Sequence, residues 1–450
     1  MKKSFLVLLF TVVIVLAIAL GAGAYVYKNI LNINTIYKGV KIDGYNVSNK
    51  TMKQALGYIK EKKEVEIDKR SMNLLYQQNV YNIKLRQLGF SYKYDKAVND
   101  AFKLGREGNF LRRLRDIAKI KTGVEVPLES FYEFDKIKEV ANYISQEISK
   151  NPVDAVLNFN NGKITVTDEV IGKKVITDEL IAMIDNNIYE LKDIQIPVED
   201  IQPRIKKSLL SRINGVIGEF STSFKGSSRG RIENIRLSAK SISDKLILPG
   251  EEFSYNNTTG PRSVQSGYQE ANVIIGGELT PGLGGGVCQT STTMYNSLLL
   301  ADLTILERHP HSIPAAYVPY GQDAAVSYGY LDLKFRNNFD FPIYTYGKVV
   351  GDRVYIYIYG DTKAKNYIVK ITPEIAETIQ PKTEMIIDDK LQPGTKVALQ
   401  KGRIGYKVKT YKTIIKNGKV ISKTQISTDI YRKKDYIYKV GPELPASAKD

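Results

Sequence analysis

The sequence predicts an α+β fold class: a membrane-anchored multidomain chain with α+β binding modules, an α+β domain of catalytic type and an elongated all-β C-terminal domain. Three observations predict it. Residues 4–27 form an uninterrupted uncharged run; segments of helical spacing and of strict alternation then follow one another; and beyond about residue 367 only alternating, strand-like sequence remains. With 450 residues, an allowance of roughly 150 per domain gives about three domains. A content of 43% apolar and 25% charged residues excludes wholesale disorder. The single cysteine excludes an intrachain disulfide and a Cys-rich zinc site.

Segment 1–28 sets the compartment. At 1.5 Å per residue its apolar run crosses a hydrocarbon core of about 30 Å. Lys2 and Lys3 precede it, so the positive-inside rule leaves the rest of the chain outside the membrane. Ala22-Gly23-Ala24 resembles a signal-cleavage site, so a cleaved signal peptide is the competing reading. The run exceeds a signal h-region of about 7–15 residues, which favours an anchor through residues 5–27. The charge of +17 favours anionic partners. Outside the cell these are lipid headgroups or acidic wall polymers, and no nucleic acid is expected.

Five further segments follow. Residues 37–80 read as a small α+β segment, with a helix from near Thr51 capped by Ser48. Residues 82–205 read as a binding-type module without a catalytic constellation. Ala97, Ala101 and Leu104 have helical spacing there, and Arg112, Arg113 and Arg115 form either a solvated face or an anion site. Asn161-Gly162 between alternating runs signals a hairpin, and a short helix follows over 178–184. Residues 214–360 hold the glycine-rich stretch and both histidines. In 367–441, Tyr406, Val408 and Thr410 alternate with lysines that protect open sheet edges, and Asn417-Gly418 signals another hairpin. Residues 442–450 read as a tail.

The residues able to carry chemistry lie close together in 214–360. Cys288 follows glycines at 282, 284, 285 and 286, and a helical pattern begins at its position, with Met294, Leu298 and Asp302 on one line. A thiol in the first turn of a helix meets unpaired N–H groups and the positive end of the dipole, which favour the thiolate and can hold an oxyanion. His309 and His311, the only histidines, supply proton carriers. The bland alternatives are a small buried apolar cysteine and hydrogen-bonded loop imidazoles. A zinc site of Cys288, His309 and His311 is the third reading, but Pro310 disturbs the strand it needs and no fourth ligand is evident; no metal and no cofactor are called.

Through these residues the chain closely resembles the VanW domain family. The matching pieces run in order over residues 214–360: GEFSTSF, RIENIRLSA, LPGEEFSYN, TGPRSVQSGYQEANVIIGG, GLGGGVCQTSTTMYN, ERHPHS and SYGYLDLKFRNN. The family's histidine block maps onto Glu307, Arg308, His311 and Ser312 and leaves His309 at a variable position, so the resemblance makes His311 the first choice of proton carrier. Residues 367–441 look like a five-glycine domain, with Gly394, Gly402, Gly405, Gly418 and Gly441, of a type proposed to bind N-acetylglucosamine-containing polymers. Residues 82–205 are similar, more weakly, to a peptidoglycan-binding domain that elsewhere precedes YkuD-type L,D-transpeptidases.

The resemblance implies a protein at the cell membrane and wall, partnered by peptidoglycan stem peptides and glycan strands, in a family named for a glycopeptide-resistance cluster. Some VanW domains are understood to be L,D-transpeptidases, which implies that Cys288 forms a thioester and that His311, or else His309, moves protons. Asp323 is the expected orienting carboxylate and Asp332 the weaker one. Backbone groups from Gly286 to Gln289 are expected to hold the oxyanion, and Ser291 to line the substrate site. Arg308 is expected either to bind a stem carboxylate or to form a structural ion pair. The rival functions are a Cys-dependent peptidoglycan peptidase or carboxypeptidase, and a non-enzymatic wall-binding scaffold.

Overall fold

The computed structural model describes residues 2–160, 162–275 and 278–442. Asn161 of the expected hairpin turn, Gly276 and Gly277 of the glycine-rich stretch and residues 443–450 of the expected tail lie outside them. The helix Lys2–Val26 buries none of its residues and is long and apolar enough to cross a membrane. The chain divides into two units of mixed helix and strand, Met1–Val153 with Ile171–Gln202, and Asp154–Val170 with Pro203–Asp450.

In the first unit, the helix Met52–Lys69 starts at Thr51. The Thr51 hydroxyl accepts from the Gln54 N–H, and the Gln54 side chain accepts from the Thr51 N–H. This capping box replaces the expected Ser48 cap; Ser48 Oγ instead accepts from the Gly39 N–H at 2.9 Å. The helical spacing through Leu104 is broken into two helices, Tyr94–Lys103 and Phe110–Ile120, because Gly105 and Gly108 between them take φ of 71° and 90°. Arg113 donates to the carbonyls of Leu31 and Gly105, whereas Arg112 and Arg115 lie on the surface beside Asp116. The basic cluster is therefore not one continuous surface patch. One apolar core gathers Val40, Ile42, Ile59, Ala101 and Ile117; another gathers Met72, Leu74, Ile137, Ile144, Leu180 and Ile184.

The second unit is built on a four-stranded antiparallel sheet in the order Gly215–Ser223, Arg353–Gly360, Ile343–Val350, Lys245–Ile247. Helices Arg229–Ser241 and Val287–Leu300 bury Ile235, Ala239, Met294 and Leu298 against its inward Ile356 and Ile358. Gly218 permits this approach: a Cβ there would lie 2.5 Å from the Ser297 carbonyl oxygen and 2.6 Å from the Ala301 nitrogen. The hairpin Val156–Asn160 with Lys163–Thr167 belongs to this unit. Its Phe159 ring lies 4.5 Å from that of Tyr346 and 5.2 Å from that of Tyr359.

The C-terminal strands form two three-stranded sheets. Ile368–Ile379, Gly405–Lys416 and Lys419–Tyr431 make one, and Thr383–Ile387, Tyr436–Val440 and Lys396–Gln400 the other. Asn417 and Gly418, at φ of 51° and 75°, make the two-residue turn that a tight hairpin requires. Val408 and Thr410 face inward as the alternation predicts.

Candidate active site

Gly286 immediately precedes the helix Val287–Leu300 at φ 110°, a conformation open to glycine at little cost, and a Cβ there would meet the Arg231 carbonyl oxygen at 3.0 Å. The chain thus turns sharply into the helix and delivers Cys288 in the first turn. No side chain caps this end and no carboxylate lies in its first turn, so the positive end of the dipole is left to the sulfur. Cys288 is partly exposed.

The helix is buried along nearly its whole length despite its Ser, Thr and Asn residues, because each of these finds a partner. Several bond the neighbouring segment 322–326. Asn296 Nδ2 donates to the Gln322 carbonyl at 2.8 Å, Thr292 Oγ1 accepts from the Ala324 N–H at 3.0 Å, and Ser291 Oγ donates to the Ala324 carbonyl at 2.7 Å. The Cys288 thiol donates to the Val326 carbonyl at 3.4 Å. These bonds hold Asp323 in register with Cys288.

A second register brings in the imidazole. His309 and Ala325 form an antiparallel bridge, so two residues further along each strand His311 faces Asp323. Asp323 Oδ2 accepts from both the His311 N–H and the ring nitrogen Nδ1, each at 2.6 Å. Nε2 is left to serve the sulfur. Burial disfavours the His311 cation, but the bonds to Asp323 and Cys288 prevail and push its pKa up to about 9. Burial likewise opposes the Cys288 thiolate, and the His311 bond and charge overcome it, so the thiol ionises below its usual range. Asp323 is buried too, yet His311 and then Arg308 hold its carboxyl below the ordinary carboxylate range. These shifts all favour charge separation between Cys288 and His311, with a buried carboxylate behind the imidazole.

Three family profiles match the chain: a VanW like protein over residues 230–359, a peptidoglycan binding domain over 81–195 and a G5 domain over 370–443. The uncharacterized protein YoaR of Bacillus subtilis (strain 168) is 31% identical over 249 residues, 55% of this chain and 81% of that protein. The chain belongs to the VanW-like family. The Vancomycin B-type resistance protein VanW of Enterococcus faecalis (strain ATCC 700802 / V583) is 34% identical over 115 residues, 24% of this chain and 42% of that protein. A crystal structure of HP0197-G5 matches 17% of this chain and 97% of its own at 28% identity and a TM-score of 0.13. A G5 domain structure of an IgA1 protease matches 17% and 94% at 22% identity and a TM-score of 0.15. With its VanW-like, peptidoglycan-binding and G5 regions, this is a cell-wall-related extracytoplasmic protein.

Cys288, His311 and Asp323 all lie within the VanW-like region and come together. The other residues singled out from the sequence do not join them as reactive groups. The His309 ring meets Glu307 Oε1 through Nε2 at 3.0 Å, and Glu307, held first by Lys334 and also by His309, has its pKa lowered to about 2. Arg308 is buried and fully engaged: Nε donates to the Asp323 carbonyl at 2.6 Å, Nη2 to Asp323 Oδ1 at 3.3 Å and Nη1 to Asp429 Oδ1 at 2.6 Å. It is a structural ion pair, not an open carboxylate receptor. Gln289 is consumed by Arg231, Thr222 and Ser223, and Ser291 by the carbonyls of Cys288 and Ala324. Asp332 accepts from Ser254 and the Asn256 N–H, away from His311.

Two residues that sequence reasoning missed come from the G5 region. Tyr431 Oη donates to Asp323 Oδ1 at 2.6 Å and accepts from the Gly321 N–H at 2.6 Å, while Asp429 holds Arg308. Their distance along the chain, 108 residues between Tyr431 and Asp323, left no local signal.

Proposed function

We propose that this protein is an L,D-transpeptidase of the cell wall, a cysteine acyltransferase that links the third residues of neighbouring stem peptides. The observation that carries the reading is the chain of contacts Cys288–His311–Asp323 at an uncapped helix N-terminus in a wall-related extracytoplasmic protein. Outside the membrane no nucleoside triphosphate drives amide formation, so a new peptide bond has to be made by exchange through a covalent acyl intermediate.

The Cys288 thiolate attacks the carbonyl carbon of the third stem residue, and the oxyanion forms against the helix N-terminus. The N–H groups of Val287 and Gln289 close turns onto Gly284 and Gly286, which leaves the N–H groups of Gly286 and Cys288 as the donors for it. The bond to the terminal D-residue breaks; its amine leaves with the proton from His311 Nε2, and a thioester remains. A side-chain amine of a second stem attacks the thioester, His311 takes up its proton, and the thiolate is released. Asp323 keeps its charge throughout and holds Nδ1.

The test is the full-length chain in detergent, wild type and Cys288→Ala, incubated with defined stem tetrapeptides and followed by mass spectrometry. Dimers joined between third residues, made by the wild type alone, are the expected result. Shortened stems without dimers would make the protein a peptidase. Unchanged stems together with a thiol unreactive until denaturation would leave a wall-binding scaffold.

A further inference from the structure

Beside the triad sits a cation that no acid neutralises among the described residues. Arg262 lies on the segment that leads from Gly260 to the hairpin Glu270–Ile275 with Glu278–Leu283, the hairpin that feeds the glycine turn before Cys288. Its stem packs on that turn: a Cβ at Gly284 would come within 2.8 Å of Arg262 Cγ. Its guanidinium lies 5.9 Å from the ring centroids of both Tyr255 and Tyr328. Nη1 donates to the Gly260 carbonyl at 2.9 Å. Among the described residues Nη2 is buried and has no hydrogen-bond partner, and the same holds for the hydroxyl of Tyr268, close enough to feel the Arg262 charge. Two orphan polar atoms on residues close enough to feel one another's charge are an unusual arrangement, because buried polar groups are nearly always satisfied. They sit where Arg262's charge also reaches the Cys288 sulfur.

We infer that Arg262, with the Tyr268 hydroxyl beside it, is the receptor for a carboxylate of the acyl donor, the free α-carboxylate of the residue on the leaving side of the bond that Cys288 cleaves. The inference rests on the proposed acyl transfer and adds the residue that recognises its donor, a peptide with one residue, ending in a free acid, beyond the reacting carbonyl. The geometry of a peptide supports this. The terminal carboxylate carbon lies three bonds from the scissile carbonyl carbon, about 4 Å away, while the attacking sulfur stands about 3–3.5 Å from that carbonyl on the near side. A guanidinium whose stem packs on the turn before Cys288, and which has no acid partner among the described residues, is placed to meet that group. Arg262 offers the planar donors that carboxylates favour. Arg308, the arginine that the sequence offered for this task, is already occupied by Asp323 and Asp429.

The experiment has two arms on the full-length chain in detergent, with wild type, Arg262→Gln and Arg262→Lys. In the first, Cys288 is alkylated with iodoacetate and with iodoacetamide, and the ratio of the two rates is compared between variants. A change in thiolate fraction affects both reagents alike and cancels, so the ratio reports only attraction of a carboxylate. It is expected to fall at least fivefold in Arg262→Gln, with Arg262→Lys between. An unchanged ratio in folded Arg262→Gln, or in Arg262→Lys if the Gln variant does not fold, overturns the inference. In the second arm, tetrapeptide stems carrying a C-terminal acid or carboxamide are compared. The wild type should favour the acid in kcat/KM by at least tenfold and Arg262→Gln should not. A wild type that turns over both equally also overturns it. If no stem reacts but the alkylation ratio collapses in Arg262→Gln, the carboxylate receptor stands and the transpeptidase reading falls.

Discussion

Tyr431 donates its hydroxyl hydrogen to the same carboxylate, Asp323, that orients His311, at 2.6 Å from one oxygen while the imidazole holds the other. A residue of the G5 region thus shares a carboxylate with the His311 imidazole of the VanW-like region. Thr410 Oγ1 donates to the Gly321 carbonyl and the Arg432 N–H to the Ser312 carbonyl, so the loop between His311 and Asp323 is tied to the C-terminal strands at several points.

Tyr431→Phe keeps the ring and deletes that bond. A hydrogen bond to an ionised group contributes about 1.5–3 kcal/mol, and denaturant unfolding should show a loss of that order. Cys288 alkylation at neutral pH should slow several-fold, because a carboxylate released at one oxygen no longer fixes the imidazole. Undiminished alkylation in the folded variant would mean that His311 owes nothing to the G5 region.

Arg308→Met leaves Asp323 and Asp429 buried without their cation. Breaking such a buried pair destabilises by about 3–5 kcal/mol, more than most single substitutions do. Guanidinium unfolding of wild type and variant measures this. A loss under about 1 kcal/mol, the value of a surface pair, would show that the site is wetter than its burial implies.

The two histidines should separate cleanly. In His311→Gln the imidazolium no longer offsets burial, so the thiol rises to its ordinary value near 8.5 or above, and alkylation at neutral pH falls about tenfold for each pKa unit regained. His309→Gln, which disturbs only the half-exposed contact with Glu307, should leave the alkylation profile in place. Equal effects from both would contradict the assignment of Nε2 of His311 to the sulfur.

The pH dependence has a definite sign. Release of the leaving amine needs the imidazolium, so acyl transfer should decline as pH rises through about 9. Asp323→Asn removes the carboxylate that holds the imidazolium, and the alkaline limb should move down toward the ordinary imidazole value of about 6.5. In folding terms, the raised His311 pKa contributes stability that is complete below about pH 6.5 and gone above about 9. The depressed Cys288 pKa acts the other way, contributing above the ordinary thiol value and losing its effect as pH falls through the depressed one. Imidazole NMR reads His311 directly, since the chain has only two histidines.

Elements whose signals are local were readable along the chain. The apolar first helix, the helix that opens at the glycines and the Asn417-Gly418 turn each depend on residues within a few positions. Errors arose where neighbours compete. Ser48 and Thr51 are both good caps, and Gln54, three residues after Thr51, completes the capping box that decides between them. Arg112, Arg113 and Arg115 read as one patch, yet Arg113 is drawn to carbonyls more than 80 residues earlier in one case. Arg308 reads either as a carboxylate receptor or as a structural ion pair; the second holds, with acids that no local pattern announces.

From composition and spacing alone came the rarity of the Cys and His residues, their closeness, and the glycines that aim one sulfur at a helix end. Their arrangement in space depends on the tertiary structure. The strand register that places His311 opposite Asp323, the burial that makes Arg308 a brace and Arg262 an unclaimed cation, and the support from Tyr431 all depend on groups brought together across long loops, where a low-dielectric interior turns proximity into a shifted proton affinity.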